Sequence, residues 1–305
     1  MIFFPLIMVQ SFAATPSLHL RRSTPPFQGE SWRVDLIFAQ SAAPLLKRRG
    51  VPEGRGGQFK LSYINPWKLP VFLLLLFPFF ISAQNSDTTK FVLGKVEYAQ
   101  YSEFVKIPEA YANKAGMYLR KEVLDAFILM QKCAKSEGVS LTIISACRNF
   151  NHQKSIWEAK WNGSRKVGGK DLSMAISNAA DRAKEILKYS SMPGTSRHHW
   201  GTDIDINSLN PTYFESGKGK KEYDWLRDNA AEFGFCQVYS EKGNDRKYGY
   251  EEEKWHWSYI PIASKLTRYF KKNMGQKDIS GFDGSDALPF SEVLKYVEGI
   301  APDCR

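Results

Sequence analysis

Two short segments of this sequence concentrate side chains that could do chemistry together. The first is Ser196-Arg197-His198-His199-Trp200-Gly201-Thr202-Asp203-Ile204-Asp205, and the second is Glu253-Lys254-Trp255-His256-Trp257. A catalytic zinc takes three protein ligands, imidazole nitrogen and carboxylate oxygen at about 2.0–2.2 Å, and keeps a fourth position for water. His198, Asp205 and His256 supply such a set for one Zn²⁺. Glu253 lies three residues before His256, so a local turn can aim both at one point. It suits a general base, taking a proton from water whose pKa a metal lowers to about 7. Trp255 and Trp257 would wall the site against bulk water. A loop shifted by one residue would offer His199 in place of His198. His152 reads as a structural hydrogen-bonder, and Asp203 either as an acceptor orienting a ligand imidazole or as a solvated strand aspartate.

The elements that carry these residues must fold the chain back on itself. Seven residues of straight strand would put His198 and Asp205 roughly 23 Å apart, on opposite faces. Gly201 stands between them and accepts backbone angles that other residues resist. Upstream, the spacing of Leu119, Val123, Leu124, Phe127, Ile128 and Met130 predicts an amphipathic helix closed by Gly138, followed by the β-branched strand Val139–Ala146. Helices are also expected over 148–161, 175–189, 223–235, 261–273 and 289–300. Short strands are expected at 203–206, at 236–240 and at 254–260, the last with Trp255, Trp257 and Tyr259 on one face and His256 and Ser258 on the other. Helices interspersed with short strands, without an internal repeat, predict one α+β domain.

The same residues carry a resemblance. Ser196-x-His198-x-x-Gly201-x-Asp203-x-Asp205 followed by Glu253-x-x-His256-Trp257 resembles the two signatures of the D-alanyl-D-alanine carboxypeptidase family of zinc peptidases, the VanY type, which shares its fold with the hedgehog signalling domain. Ser145-Ala146-Cys147-Arg148 with Gln153 resembles a third segment, and the likeness covers about 119–263. It implies a small central antiparallel sheet flanked by helices, Zn²⁺ on His198, Asp205 and His256, and Glu253 as catalytic base. Arg148 would hold the substrate's terminal carboxylate or the developing oxyanion, with Ser196 and Gln153 as further polar contacts to the peptide. Two positions depart from the pattern: Asp203 stands where the family usually has Ala, and Cys147 where Tyr is common. The implied substrate is the peptidoglycan stem peptide and the implied reaction removal of its C-terminal D-alanine. A D,D-dipeptidase, an L,D-carboxypeptidase or a wall endopeptidase could use the same site, and a non-catalytic zinc module binding wall peptide is the alternative of another class. Such a module has no need of Glu253.

The remaining sequence reads as an address. The 305 residues carry a net charge of +10, but 1–83 hold nine basic and three acidic residues, which leaves 33 and 29, a net of +4, to 84–305. That near balance argues against a nucleic-acid partner. The 14 apolar residues Leu69–Ser82 fall short of the ~20 needed to span a bilayer. With Lys68 before them and Ala83 after, they read as a secretory signal at 69–83. The expected organisation is a non-globular extension over 1–68, arising from a start assigned too far upstream, then the signal, then a zinc peptidase domain over 84–305. The product would be exported, periplasmic or extracellular, monomeric, and without a membrane span once the signal is removed. Cys133, Cys147, Cys236 and Cys304 could then oxidise; they allow three pairings and contain no CxxC.

Overall fold

The computed structural model describes residues 88–305, which lie within the compact unit Pro66–Arg305. The extension over 1–68 and the signal at 69–83 fall outside the described residues.

Strands β1 (Phe104–Lys106) and β2 (Tyr118–Arg120) pair antiparallel, with Val105 opposite Leu119. Helix α1 (Lys121–Ser136) follows directly and buries Val123, Leu124, Phe127, Met130 and Ala134, the three- and four-residue stripe seen in the sequence. Leu119, counted into that stripe, belongs instead to β2, because Arg120 is extended (φ −60°, ψ 138°) and starts the helix one residue later. Next come β3 (Ile143–Ser145), α2 (Phe150–Trp161), the single turn α3 (Leu172–Ala175), α4 (Ala179–Ile186) and β4 (Asp203–Ile206). They are followed by α5 (Gly217–Asn229), β5 (Phe235–Gln237), β6 (His256–Tyr259), α6 (Ile260–Asn273) and α7 (Phe290–Glu298).

The central sheet has the order β3-β4-β6-β5, antiparallel throughout. Its register sets the chemistry. Asp203 lies opposite Ser258, Ile204 opposite Trp257 and Asp205 opposite His256. Because side chains alternate faces along a strand, Ile204, Ile206, Trp257 and Phe235 share the face that packs against α1 and α5, in a core with Phe127, Met130, Trp225 and Leu226. Asp203, Asp205, His256 and Ser258 take the other face. A second core beyond it gathers Trp157, Ile186, Trp200, Phe270, Val293 and Val297 from the remaining helices and the loop before β4. The polar face is therefore buried between two apolar layers, and every one of its groups must find a partner there.

Of the cysteines, Cys236 and Cys304 form a disulfide that ties β5 to the end of the chain, whereas Cys133 and Cys147 are free thiols. Among the described residues no helix is long and apolar enough to cross a membrane.

Candidate metal centre

His198 sits in a tight helical turn, Arg197–Trp200, that ends on Gly201 with φ 67°. A side chain at Gly201 would be strained by that angle, and its Cβ would meet Phe104 at 2.4 Å. This is the reversal that the spacing of His198 and Asp205 demands. Arg120 anchors the turn from β2, donating from Nε to the Trp200 carbonyl at 2.7 Å.

The hydrogen bonds fix the His198 tautomer and engage both nitrogens of His256. His198 Nδ1 lies 2.9 Å from the Ala146 carbonyl oxygen, which can only accept, so Nδ1 carries the hydrogen and the lone pair is on Nε2. That Nε2 is 3.4 Å from Asp205 Oδ2. His256 presents Nε2 to Asp203 Oδ2 at 2.9 Å and turns Nδ1 toward Asp205 Oδ1, 3.8 Å away, and Glu253 Oε2, 2.9 Å away. One ligand atom from each of His198, Asp205 and His256 falls within 4.8 Å of the others. Tetrahedral ligands at ~2.1 Å from a zinc lie ~3.4 Å apart, so small adjustments close the set. Asp205 Oδ1 is buried and has no hydrogen-bond partner among the described residues. A carboxylate oxygen left unpaired between two imidazoles is the signature of a position shaped for a cation.

The electrostatics point the same way. Burial opposes ionisation of Asp205, but His198 and His256 outweigh it and hold the carboxyl at about 2. Burial likewise opposes ionisation of Asp203, and Arg197 with His256 keeps it well below the usual carboxylate range. Burial would lower His256, but hydrogen bonds to Asp203 and Glu253 and the charge of Asp205 raise it to about 10. Three carboxylates around one imidazole favour positive charge at that point, which a bound metal also supplies. Glu253, by contrast, is pushed up by burial, with His256 pulling the other way.

Asp203 is fully buried, which overturns its reading as a solvated strand aspartate. It accepts from Arg197 Nε at 3.0 Å, Thr202 Oγ1 at 2.7 Å and Ser258 Oγ at 2.8 Å, as well as from His256. Arg197 donates onward to Ser258 Oγ and to Thr267 Oγ1 and stacks on Trp200 with 4.6 Å between the guanidinium and the ring centre. A carboxylate gripping the far nitrogen of a ligand imidazole fixes its ring and raises its basicity. Sequence reasoning missed Arg197 and Ser258. The alternation that put Ser258 beside His256 was the available signal for one, and nothing local marks the other.

Arg148 leaves the end of β3 and reaches the same centre. Its guanidinium donates to Gln153 Oε1 at 2.8 Å and Ser145 Oγ at 3.4 Å, and stands 3.8 Å from Asp205 Oδ2. Gln153 is fully buried, with its amide nitrogen bound to the Ser191 carbonyl, so it acts on the cleft through Arg148. Ser196 is buried at the cleft wall. His199 is no alternative ligand: Nε2 accepts from the Gly194 N–H and Nδ1 donates to the Arg148 carbonyl. Burial keeps it neutral, lowering it to about 3. His152, on α2, faces the cleft from its rim.

The cleft over the centre encloses about 550 Å³. Trp255 lines it as expected, but Trp257 does not, because strand alternation turns it from His256 into the core below. Tyr239, unremarked in the sequence, takes that place and sets its ring edge-on to His256, with centroids 4.8 Å apart.

A family model described as VanY, D-alanyl-D-alanine carboxypeptidase, matches residues 116–262, a span that includes Arg148, Gln153, Ser196, His198, Asp203, Asp205, Glu253 and His256. The chain is similar to the candidate carboxypeptidase YodJ of Bacillus subtilis, 34% identical over 151 residues, covering 47% of this chain and 46% of YodJ. It is also similar to a D-alanyl-D-alanine carboxypeptidase of Enterococcus faecalis, 27% identical over 138 residues, covering 45% and 46%. The chain thus spans about half the length of these curated relatives. Among solved structures, the LdcB LD-carboxypeptidase is similar at 27% identity and a TM-score of 0.42, over 59% of this chain and 80% of that one.

Proposed function

We propose that this protein, whose residues 116–262 match the VanY D-alanyl-D-alanine carboxypeptidase family model, is an exported zinc peptidase that removes the C-terminal D-alanine from peptidoglycan stem peptides. The observation that carries the reading is the buried, unpartnered Asp205 Oδ1 set between the imidazoles of His198 and His256, with Glu253 beside them.

His198, Asp205 and His256 would hold a zinc ion, which would supply Lewis-acid polarisation of the scissile carbonyl and make water acidic enough to attack at neutral pH. Glu253 takes the proton as the water oxygen bonds to the carbonyl carbon. It returns that proton to the amine nitrogen as the C–N bond breaks. Arg148, held by Gln153 and Ser145, binds the terminal carboxylate or the developing oxyanion with its planar set of donors. Ser196 offers a hydroxyl to the peptide from the cleft wall, and Trp255 and Tyr239 keep bulk water from the reacting atoms.

The Cys236–Cys304 disulfide supports an oxidising compartment outside the cytosol. Defined stem peptides ending in D-Ala-D-Ala or in L-Lys-D-Ala, incubated with and without a chelator and read by mass, test the proposal. The expected result is loss of one alanine from the first peptide only, abolished by chelator. No chelator-sensitive product from either peptide would overturn it.

A further inference from the structure

The cleft holds more positive charge than a single substrate carboxylate can answer. Among the described residues, Asp205 and Glu253 are the only carboxylates that line it, and both belong to the proposed reaction. Along the wall stand Lys114, Arg148, Lys160 and Arg165. Arg148 is accounted for by its hydrogen bonds to Gln153 and Ser145 and by its place next to Asp205.

Lys160 and Arg165 have no such explanation. Helix α2 turns His152, Ile156 and Lys160 toward the cleft at four-residue spacing, which puts Lys160 about 12 Å along the wall from His152. Trp157, buried against the Asp283 carbonyl, fixes that rotation of the helix. The only acid on α2, Glu158, pairs with Lys154 on the side away from the cleft. Lys160 Nζ donates to Ser190 Oγ and, among the described residues, neither Lys160 nor Arg165 forms an ion pair. Burial and the nearby Arg165 push Lys160 down to about 8, while Glu253 is near enough to oppose them. With Lys160 donating to it, the Ser190 hydroxyl keeps its own hydrogen for an acceptor. Lys160 half-buried on the wall, Arg165 exposed at the mouth and the buried Ser190 hydroxyl, with neither cation in an ion pair among the described residues, make an anion position.

We propose that Lys160, Arg165 and Ser190 form a second carboxylate position, separate from Arg148, that takes the free side-chain carboxylate of a substrate residue within two positions of the scissile bond. Two extended residues reach ~7 Å, a span over which charges at Lys160 and Glu253 still interact. The ligand class is a peptide containing a diamino dicarboxylic acid, whose own carboxylate is free, in preference to one with lysine or an amidated carboxylate. The inference rests on the peptidase reading above and names the substrate of that same site.

The test uses the zinc-loaded full chain and two pentapeptides ending in D-Ala-D-Ala, identical except that the diaminopimelate residue carries either a free or an amidated carboxylate. The wild type is expected to favour the free-carboxylate peptide about tenfold in kcat/KM, through KM. Lys160→Met and Arg165→Gln should each reduce that ratio to twofold or less. An equal rate on both peptides, or an equal loss on both in Lys160→Met, would overturn the proposal. Calorimetric binding of the same peptides to the Glu253→Gln protein reads the preference without turnover. Absence of cleavage alone therefore counts against the peptidase reading, and equal binding of the two peptides counts against the carboxylate position.

Discussion

The sheet that floors the site and the helix that walls it treat their charged groups in opposite ways. On the floor, Asp203 receives four hydrogen bonds, Arg197 is held by three acceptors and a ring face, and each ligand imidazole has its outer nitrogen engaged. On the wall, Lys160 has one hydroxyl for company and, among the described residues, no ion-pair partner. Over-determined groups hold their geometry before anything binds, so the floor is preorganised for metal and chemistry. Under-satisfied groups gain most from a ligand that completes them. Changes to the floor should therefore act on all substrates alike, whereas changes to the wall should alter the choice among them.

The largest expected effect tests whether chemistry and metal holding are separable on the floor. Glu253→Gln keeps the hydrogen-bonding shape beside His256 but removes the base, and turnover of every peptide should fall by about 10²–10⁴. Zinc content, measured on the purified protein, should stay at one ion per chain. Loss of zinc together with activity would show that Glu253 helps to hold the metal and would break the division of labour proposed for it.

Next in size is the Asp203 grip on His256. Asp203→Asn keeps the volume and one carbonyl acceptor but not the negative charge, and zinc affinity, measured by competition with a coloured chelator, should fall about 10–100-fold. Peptide preference should not move. Asp203→Ala is a harsher change, since it leaves Arg197 buried without a counter-charge, at a cost of about 3–5 kcal/mol in stability. An unchanged zinc affinity in Asp203→Asn would reduce Asp203 to a structural partner of Arg197.

This contrast also explains what could be read from sequence. The metal set was legible because its residue types and spacing mark each half, His198, Gly201 and Asp205 in one segment and Glu253 and His256 in the other, although β4 must pair with β6 to bring the halves together. The Arg197–Asp203–Ser258 network depends on the same pairing, but an arginine and a serine carry no such mark in the sequence. Trp257 was misplaced by treating it as a neighbour of His256 in space because it is one in sequence. Helix α5 starts at Gly217, six residues before the helix expected from the apolar pattern, with two glycines in its first turn that carry no helical signal. Gly219 is there because a Cβ would strike the Tyr213 carbonyl, a contact between segments. Lys160 was legible as a helical residue but not as a wall residue, since the packing of Trp157 decides which way that face of α2 points.

The smallest expected effect is the most selective. Lys160 loses its proton as pH rises through about 8, the value to which burial and Arg165 depress it. In the free enzyme the preference for the carboxylate peptide should therefore be fullest below that pH and decline above it. A guanidinium stays charged throughout, so Lys160→Arg should hold the preference flat across the same range. Arg165, Arg148 and Glu253 are the charged groups that Lys160 feels. Glu253 and the metal ligands affect both peptides alike, so their titration cancels when kcat/KM for the free-carboxylate peptide is divided by that for its amide. The ratio reports the wall alone. A ratio that falls with pH in Lys160→Arg as in the wild type would move the titration off Lys160 and remove the charge contrast between wall and floor.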